Sequence, residues 1–509
     1  MIRYVNRLVR LACMLMLAVL FVDANLSAAS AAATKPNIVF IIADDMGWTD
    51  VGCYGNRYVD TPNIDKLATE GVRYTDFYAG TPVCSSTRSS IFSGQYAARV
   101  GITDFIPGHW RPFEKLIVPP IENALPLPIK TPGDVLKEAG YKTGYFGKWH
   151  LGHTRELLPD RRGFEMTENT VGPGFKKWRT RKDNGPKRVD LLTDYAMYFL
   201  EQHKDQPFFL TVSHYAVHIP VEASEQLVSK YEKKIKPDGK RLYNPRYAAM
   251  TEHLDGSVGA IVQKIKSLGL EKNTLVIFTS DNGGLRKIYT GVGEEVSDNV
   301  PLRDEKGTVY EGGIRVPLIA KWPGVIKPGG VCDEIAISND FMPTFIDVSG
   351  ASKVKSQVSD GLSLLPTFKD AASSLGRDAI FFHYPHYHHG RPAGAIRRGD
   401  WKLIENFEDG SVELYNLKDD IGETRDLLVA KAGLQQVKKA LRNQAVGLQK
   451  ELAAWRKAVG ARMPTKNETF DASKASQWWS RRTKKLLDIE AMRKRYESKK
   501  LAPSSKGGK

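Results

Sequence analysis

Acidic and amide side chains lie just beyond the ends of two strongly apolar segments of this 509-residue chain. Asp44 and Asp45 follow the first segment, and Asp281 and Asn282 follow the second. Oxygen donors of this kind suit a hard divalent cation such as Ca²⁺ or Mg²⁺ and do not match a thiolate-type zinc site. The alternative is that each Asp is an ordinary turn or helix-capping residue. The matching of two segment ends favours a metal site.

Basic side chains follow two further apolar segments. His214 and His218 lie after one of them, and Lys148 and His150 after the other. Taken singly, each would more often be a core or turn histidine or a solvated surface lysine. Their shared position after apolar segments instead predicts a cluster of bases and cations near the acidic groups.

A cysteine precedes a predicted helix within the run from Thr81 to Gly94. Arg88 follows Cys84 by about one helical turn. The free N–H groups and the dipole of a helix N-terminus favour an anion, and an arginine adds a planar fork of donors. By itself the pattern predicts a thiol of lowered pKa beside an oxyanion site. The alternative is a buried structural cysteine.

The four apolar segments have the continuous, β-branched character of strands buried on both faces of a parallel sheet. They cover residues 38–42, 145–146, 208–212 and 275–278. Helical patterns lie between them, for example over Asn63–Glu70 and from Thr131 to Gly140, each with Pro near its start and Gly at or just after its end. This alternation predicts an α/β fold with a large, mainly parallel sheet covered by helices on both faces. Ligands bind such sheets at the carboxyl ends of the strands, where the side chains above lie.

These residues resemble the motifs of the type I sulfatases, which are members of the alkaline-phosphatase superfamily. The resemblance extends from about Lys35 to about Leu427. It is carried by several ordered motifs, namely Pro36–Asp45, Thr61–Asp65, Glu70–Tyr74, Cys84–Gly94, Gly147–Gly152 and Lys306–Pro317. The family signature usually reads Cys-x-Pro/Ala-x-Arg, whereas this chain has Ser86 at the middle position. The resemblance implies an alkaline-phosphatase-like fold with a smaller C-terminal α+β domain.

The resemblance also implies a nucleophile that is formylglycine, made from Cys84 by a maturation enzyme that reads the signature. In its hydrate, one hydroxyl attacks sulfur and the other, once deprotonated, collapses to release sulfate. The implied cofactor is Ca²⁺, with Mg²⁺ less favoured, and its implied ligands are Asp44, Asp45, Asp281, Asn282 and residue 84. Arg88 would orient the diol, and Lys148 and Lys306 would neutralise charge on the sulfate oxygens. His150 would be the base for the second hydroxyl, and His218 would protonate the leaving oxygen.

After Gly361 the pattern changes to short strand-like runs broken by glycines, which predicts an antiparallel sheet. The runs cover residues 379–383, 394–397, 401–404 and 412–415. An amphipathic helix from Leu428 to Trp455 is predicted to pack on this sheet. The expected domains are a signal peptide (1–33), a catalytic domain (34–372), a C-terminal subdomain (373–460) and a basic extension (461–509).

A histidine-rich run over residues 383–389 is interrupted by a proline, which breaks the helical spacing that a second metal site would use. The run is instead either a loop over the pocket that touches substrate or ordinary surface. His214, His383 and His386 are the predicted substrate contacts. The stretch His109–Arg111 is a further candidate wall of the pocket.

The composition, with 41% apolar and 26% charged residues, is that of a folded globular protein and argues against a disordered chain or a polytopic membrane protein. The net charge of +16 is uneven, because residues 471–509 carry twelve Lys/Arg against four Asp/Glu. No nucleic-acid partner is therefore predicted. The tail is predicted to be a solvated basic extension, and contact with an anionic polysaccharide is the alternative.

Residues 1–33 have the parts of a secretory signal: early arginines, an apolar run over 11–22 and an Ala-x-Ala pattern. The expected location is secreted or periplasmic, and an uncleaved anchor is the alternative. Beyond this segment the chain has Cys53, Cys84 and Cys332, too few for a disulfide framework. A single bridge remains open.

The sequence thus predicts a secreted sulfatase that removes sulfate from a sulfated carbohydrate or an aryl sulfate. One alternative is a phosphate mono- or diester hydrolase on the same scaffold, since tetrahedral sulfate and phosphate esters need similar cations. The presence of Cys84 with Arg88 disfavours it. The other alternative is a non-catalytic binder of sulfated glycans, in which Ser86 leaves the cysteine unconverted.

Overall fold

The computed structural model describes residues 35–494 except 182, 238–240, 290–291, 430–438 and 493. The predicted signal peptide over residues 1–33 lies outside the described residues, as does the end of the basic tail, 495–509. Within the described part, no helix combines the length and the apolar character needed to cross a membrane.

The N-terminal part of the chain, residues 37–369, alternates strands with helices, as its apolar pattern predicts. Its strands are β1 (Asn37–Ala43), β2 (Val72–Tyr74), β3 (Phe77–Tyr78), β4 (His109–Trp110), β5 (Leu116–Ile117), β6 (Lys142–Gly147), β7 (Met166–Thr167), β8 (Phe208–Ser213), β9 (Thr274–Ser280), β10 (Lys287–Tyr289), β11 (Val292–Glu295), β12 (Leu318–Lys321), β13 (Gly330–Cys332) and β14 (Ala336–Ile337). Its helices are α1 (Pro62–Thr69), α2 (Cys84–Ser93), α3 (Ala97–Val100), α4 (Pro132–Glu138), α5 (Pro173–Trp178), α6 (Val189–Gln202), α7 (Glu225–Lys233), α8 (Pro245–Ser267), α9 (Glu311–Ile314), α10 (Phe341–Ser349) and α11 (Leu365–Lys369).

Eight of these strands form one sheet in the order β13-β2-β12-β9-β1-β8-β6-β7. The five strands from β9 to β7 run parallel to one another. Strand β12 runs antiparallel to both of its neighbours, β9 and β2. The sheet is therefore mixed and mostly parallel, which confirms the predicted fold class.

The central strand β1 is buried along its whole length, and its side chains enter two separate cores. Ile38, Phe40 and Ile42 pack on one face with apolar residues of α2, α4 and α10. Val39 and Ile41 pack on the other face with residues of α1, α6 and α8. Because successive side chains of a strand point to opposite faces, a strand buried on both faces is apolar throughout.

The register of the four predicted strands brings their carboxyl ends to one edge of the sheet. Ala43 at the end of β1 pairs with Ser280 at the end of β9. On the other side, β1 pairs with β8, and Ser213 at the end of β8 pairs with Gly147 at the end of β6. The residues that follow these four strands therefore start from the same edge.

A second, four-stranded sheet is antiparallel throughout, in the order β15-β16-β17-β18. Its strands are β15 (Ile380–Tyr384), β16 (Ala393–Arg398), β17 (Trp401–Asn406) and β18 (Val412–Asn416). One face packs on helix α12 (Lys439–Val459) through Leu403, Leu448 and Leu452. The other face joins the N-terminal part through a shared apolar core that includes Phe382 and Ile337.

The start of the predicted helix at Leu428 is wrong. Residues 427–429 form a turn, in which the Asp426 carboxylate accepts hydrogen bonds from the N–H of Leu428 (3.0 Å) and of Leu414 (3.1 Å). A side chain that binds nearby backbone N–H groups competes with helix formation. The helix is described only from Lys439 and extends past Trp455 to Val459.

The described part of the basic tail is not the solvated extension that was predicted. Strand β19 (Thr465–Lys466) pairs with β5, and strand β20 (Trp479–Ser480) pairs with β4. Trp478 is buried, with 6% of its surface exposed. The segment from 465 to 480 thus packs on the N-terminal part of the chain.

The open question of a disulfide is also answered for the described residues. Cys53, Cys84 and Cys332 are all free thiols. The single bridge that the cysteine count left open is therefore absent from this part of the chain.

Candidate active site

A pocket of about 300 Å³ opens at the carboxyl edge of the large sheet. Its polar wall is formed by Cys84, His109, His150, His218, Lys306 and the pair His388–His389. Its apolar wall includes Phe105, Leu285, Trp478 and Met492. The volume is at the small end of the range for ligand pockets, so the pocket suits one compact polar group with a ring attached.

Four potential metal ligands converge at the base of this pocket. One donor atom each from Asp44, Asp45, Cys84 and His218 lies within 4.8 Å of the other three. The Asn282 amide donates a hydrogen bond of 2.8 Å to Asp45, which leaves the amide oxygen buried and without a hydrogen-bond partner. An unpartnered buried oxygen is costly unless it has a ligand, so this donor set fits a hard cation.

Two lysines bind the two strand-end aspartates directly. The Lys148 ammonium lies 2.6 Å from Asp44, and the Lys306 ammonium lies 2.7 Å from Asp45. Burial alone would raise the pKa of the Asp44 carboxyl, but the charges of Lys148, His218 and other cations outweigh it and lower that pKa. The pKa of Asp45 is lowered in the same way, against burial, chiefly by Lys306. Both aspartates are therefore carboxylates at neutral pH.

Arg88 is fully buried one helical turn after Cys84 and holds three segments together. Its Nε and Nη2 each lie 2.8 Å from Asp281 Oδ2. Its Nη1 donates hydrogen bonds of 2.6 Å to the Lys148 carbonyl and to Ser213 Oγ. Arg88 thereby fixes helix α2 against the ends of β6, β8 and β9.

Cys84 is the first residue of α2, and its Sγ lies 4.0 Å from Asp45 Oδ1. The predicted lowering of its pKa is wrong. Burial raises the pKa of the Cys84 thiol to about 12, although Lys148 and Lys306 act in the opposite direction. The helix N-terminus and the nearby cations do not compensate for the removal of the thiolate from water. As a cysteine, residue 84 is an uncharged thiol at neutral pH.

His150 has a left-handed backbone conformation with φ of 61° just after β6. Its Nε2 lies 2.6 Å from the Ile106 carbonyl and so carries the hydrogen, while Nδ1 is buried without a partner. Burial and then Lys148 lower the pKa of His150 to about 3. The ring is therefore neutral, with an unshared electron pair on Nδ1.

His218 is held in a similar way at the opposite wall. Its Nδ1 donates to the Ile219 carbonyl at 2.6 Å, and its Nε2 lies 3.6 Å from Asp45 Oδ2. Burial and then Lys306 lower the pKa of His218 to about 4. Nε2 thus presents an electron pair to the aspartate cluster. This makes His218 a candidate metal ligand, a role that its position in the sequence did not suggest.

The three predicted substrate contacts do not lie among the pocket-lining residues. His214 is fully buried, with its Nε2 3.3 Å from Ser257 Oγ. His383 Nε2 lies 3.0 Å from the Arg462 carbonyl. His386 lies between Thr103 and Arg481, at 2.8 Å and 2.9 Å. The predicted histidine loop does reach the pocket, but through His388 and His389.

Residues 36–351 match the family model described as sulfatase, and residues 304–451 match that of the N-sulphoglucosamine sulphohydrolase C-terminal region. The chain belongs to the sulfatase family. Its sequence is 31% identical to that of a sulfatase from Formosa agariphila, over 83% of this chain and 88% of the relative. It is 33% identical to human arylsulfatase A, over 80% of this chain and 86% of the relative.

Solved structures agree with this assignment. The crystal structure of Ps i-CgsB in complex with k-i-k-neocarrahexaose is 25% identical to this sulfatase, with a TM-score of 0.68, over 91% of this chain and 98% of that chain. The protein is therefore a sulfuric-ester hydrolase with the alkaline-phosphatase-like fold. Both family matches end before residue 452, so Trp478 and Met492 of the pocket lie outside them.

Trp478 and Met492 are pocket residues that the sequence analysis missed, as are Phe105, Ile106, Ile219 and Leu285. Trp478 and Met492 belong to the basic tail, whose charge indicated a solvated surface. The adjacent tryptophans Trp478 and Trp479 were the available signal, since paired aromatic residues are unusual in a solvated basic segment.

Proposed function

We propose that this sulfatase hydrolyses sulfate esters of carbohydrates, using a formylglycine made from Cys84 and a bound Ca²⁺. The observation that carries the proposal is the position of Cys84. It lies at the base of the pocket, 4.0 Å from Asp45 and in the electrostatic range of both Lys148 and Lys306. A buried, uncharged thiol is a poor nucleophile, so a modified side chain accounts better for a reactive group at this point.

The donor set supports calcium as the resident metal. The proposed ligands are Asp44, Asp45, Asp281, Asn282 and residue 84, and His218, which lies beside Asp44, Asp45 and Cys84, is assigned to proton transfer instead. Carboxylate and amide oxygens suit Ca²⁺, which tolerates irregular coordination better than Mg²⁺. When bound, the metal would supply Lewis acidity, and the hydrated aldehyde would supply the attacking hydroxyl.

The cations of the pocket define where a sulfate group would bind. Lys148 and Lys306 lie on the two aspartates and would neutralise the negative charge that develops on the sulfate oxygens. Arg88 has its donors directed to Asp281, Ser213 and the Lys148 carbonyl, so we assign it the positioning of residue 84 and of Asp281.

The two neutral histidines would move the protons. His150 presents the unshared pair of Nδ1, so it can accept a proton from a hydroxyl of the hydrated residue 84. The electron pair of His218 Nε2 faces Asp45, so His218 must first gain a proton before it can protonate a leaving alcohol. A sulfate ester that brings negative charge next to His218 would raise its pKa and favour that gain.

The proposed substrate is a sulfated sugar. A relative with 33% identity is N-acetylgalactosamine-6-sulfatase of mouse, and the solved neighbour Ps i-CgsB carries a neocarrahexaose. The pocket volume of about 300 Å³ suits one sugar ring with its sulfate. An aryl sulfate would fit the same space against Phe105 and Trp478.

Secretion and maturation complete the proposal. The signal-like segment 1–33 supports a secreted or periplasmic location, and the signature around Cys84 supports recognition by a formylglycine-generating enzyme. Ser86 is fully buried and accepts a 2.8 Å hydrogen bond from the Thr81 hydroxyl. The basic tail is a proposed contact for an anionic polysaccharide.

The test has two measurements. The mass of the proteolytic peptide that contains residue 84 is expected to show an aldehyde or its hydrate, and a free thiol would instead indicate a non-catalytic glycan binder. The sulfate ester of a phenol is expected to be hydrolysed faster than its phosphate ester. A preference for phosphate would establish the phosphate-ester alternative and overturn the proposal.

A further inference from the structure

The C-terminal segment 465–484 crosses the surface beside the catalytic pocket and is built into the fold. Strands β19 and β20 pair with β5 and β4, which lie on either side of the turn that follows Trp110. The Asn467 side chain donates to the carbonyls of Pro112 (2.8 Å) and Glu114 (2.6 Å). Backbone pairing at both ends and the Asn467 hydrogen bonds fix this segment against the stretch 109–117.

Arg481 anchors the segment from its other end. Its Nη2 lies 3.1 Å from Asp104 and 2.9 Å from His386 Nδ1, and its Nε donates to the His109 carbonyl at 2.9 Å. The side chains of Arg481 and Asp104 are 13% and 1% exposed, so this is a largely desolvated ion pair. His386, predicted as a substrate contact, thus supports the segment instead.

One side of the segment completes the wall of the catalytic pocket. Trp478 lines the pocket, and the guanidinium carbon of Arg111 lies 4.1 Å from the centre of a Trp478 ring. Arg111 also pairs with Glu114 at 3.0 Å. Because Trp478 lines the pocket and Arg111 does not, the Arg111–Trp478 pair lies at the edge of the pocket.

A groove of about 440 Å³ lies on the far side of that pair. It is lined by the stretch 110–112, by residues 116–120, and by Asn467, Thr469, Arg481 and Lys484 of the C-terminal segment. None of the groove-lining residues that the structure describes is acidic. Trp110 and the prolines of the 110–120 stretch provide flat apolar surface, and the volume is sufficient for a sugar unit.

The net positive charge of the groove comes from Lys484. Arg111 is balanced by Glu114, and Arg481 is balanced by Asp104. Lys484 is exposed, and its ammonium lies 4.2 Å from the centre of a Trp110 ring. An ammonium beside an aromatic face and apolar prolines favours a ligand that combines an anionic group with apolar ring faces.

We propose that this groove binds a neighbouring anionic sugar unit of an oligosaccharide whose sulfate ester lies in the catalytic pocket. The inference rests on the proposed function, and it makes the substrate an oligomeric, multiply charged glycan. The C-terminal segment, which lies beyond both family matches, then supplies one side of this binding site, and the stretch 110–120 supplies the other.

The test compares Lys484→Glu with the matched control Lys485→Glu. Both side chains are exposed and adjacent, and both changes reverse one charge, but only Lys484 lines the groove. Substrates are sulfated hexasaccharides from carrageenan and from chondroitin sulfate, each beside its matching sulfated monosaccharide. We expect Lys484→Glu to raise KM for one of the hexasaccharides by about fivefold relative to its monosaccharide, with kcat unchanged. The control is expected to leave both substrates unaffected.

Two results would overturn the inference: equal effects of the two variants, or equal effects on hexasaccharide and monosaccharide. If the wild-type protein hydrolyses none of these substrates, that result counts against the proposed function but not against the groove. The groove is then tested by a binding measurement. Calorimetry with the same hexasaccharides is then made on Cys84→Ala and on Cys84→Ala/Lys484→Glu. A dissociation constant about fivefold weaker in the double variant supports the groove. Equal binding, or no binding to either variant, rejects it.

Discussion

Lys306 and Asp45 form an ion pair of 2.7 Å at the base of the pocket, with 7% and 2% of their side chains exposed. Burial opposes the charge of Lys306, yet the carboxylates of Asp45 and Asp44 raise its pKa above the ordinary value. The ammonium is thus held in its charged form beside the proposed nucleophile. A fixed cation at this position needs no reorganisation when negative charge develops on a substrate.

Replacement of this lysine is expected to lower the turnover number. We predict that Lys306→Ala reduces kcat for an aryl sulfate by roughly 10²-fold, the usual effect of losing one preorganised donor. Initial rates at saturating substrate measure the change. Lys287→Ala is the control, since Lys287 is half-exposed and does not line the pocket. A loss below about threefold in Lys306→Ala would contradict this role for Lys306.

Removal of the proposed nucleophile is expected to abolish turnover and preserve the fold. Cys84→Ala should lower kcat by more than roughly 10³-fold, because the residual rate would come from binding and electrostatics alone. The same assay on Cys53→Ala, a half-buried thiol outside the pocket, is expected to give near-normal rates. Circular dichroism checks the fold of both variants. Persistent activity in Cys84→Ala would refute the assignment.

The buried pair Arg88–Asp281 is expected to dominate local stability. In Arg88→Met the Asp281 carboxylate would remain fully buried without its cation, at a cost of roughly 3–5 kcal/mol. Urea unfolding of the variant measures the loss. Arg391→Met provides the control, because Arg391 forms an exposed pair with Asp409 that should contribute less than about 1 kcal/mol. Similar losses in the two variants would contradict the prediction.

Chelation is expected to remove both activity and stability. A metal present at a hundred times its dissociation constant stabilises the fold by about 2.7 kcal/mol, so EDTA should lower Tm and abolish hydrolysis. Added Ca²⁺ should restore both more completely than Mg²⁺. In Asp45→Asn, which weakens the proposed ligand set, Ca²⁺ should shift Tm less than it does in the wild type. Identical Tm values for the wild type with and without EDTA would count against a resident metal.

Asp255 is expected to make stability depend on pH. Its carboxylate accepts hydrogen bonds from the N–H groups of Asn63 (3.0 Å) and Ile64 (2.7 Å) at the start of α1, but burial raises its pKa to about 6. The folded state therefore binds a proton more tightly than the unfolded state, and stability should fall as the pH rises from about 4 to above 6. The difference in Tm between wild type and Asp255→Asn, measured at pH 5 and at pH 7.5, measures this pH-dependent contribution of Asp255 to stability. A difference independent of pH would contradict it.

The sequence by itself determined the strands and the chemistry at their ends. A strand buried on both faces must be apolar throughout, so β1, β8 and β9 are visible as unbroken runs, and the polar residues that follow mark the ligand-binding edge. The ordered motifs around Asp44, Cys84 and Lys148 indicated the family because each motif is a short run of neighbouring residues that can be compared directly with the family's own.

Only the tertiary structure decided which of these groups meet and what state they are in. Burial raises the pKa of Cys84 although its helix position predicts the opposite, because desolvation depends on the whole surrounding fold. His386 supports Arg481 instead of facing the pocket, and Trp478 reaches the pocket from a tail whose charge indicated solvent. These contacts join segments that are far apart in the chain, and no local pattern of residues encodes such distances.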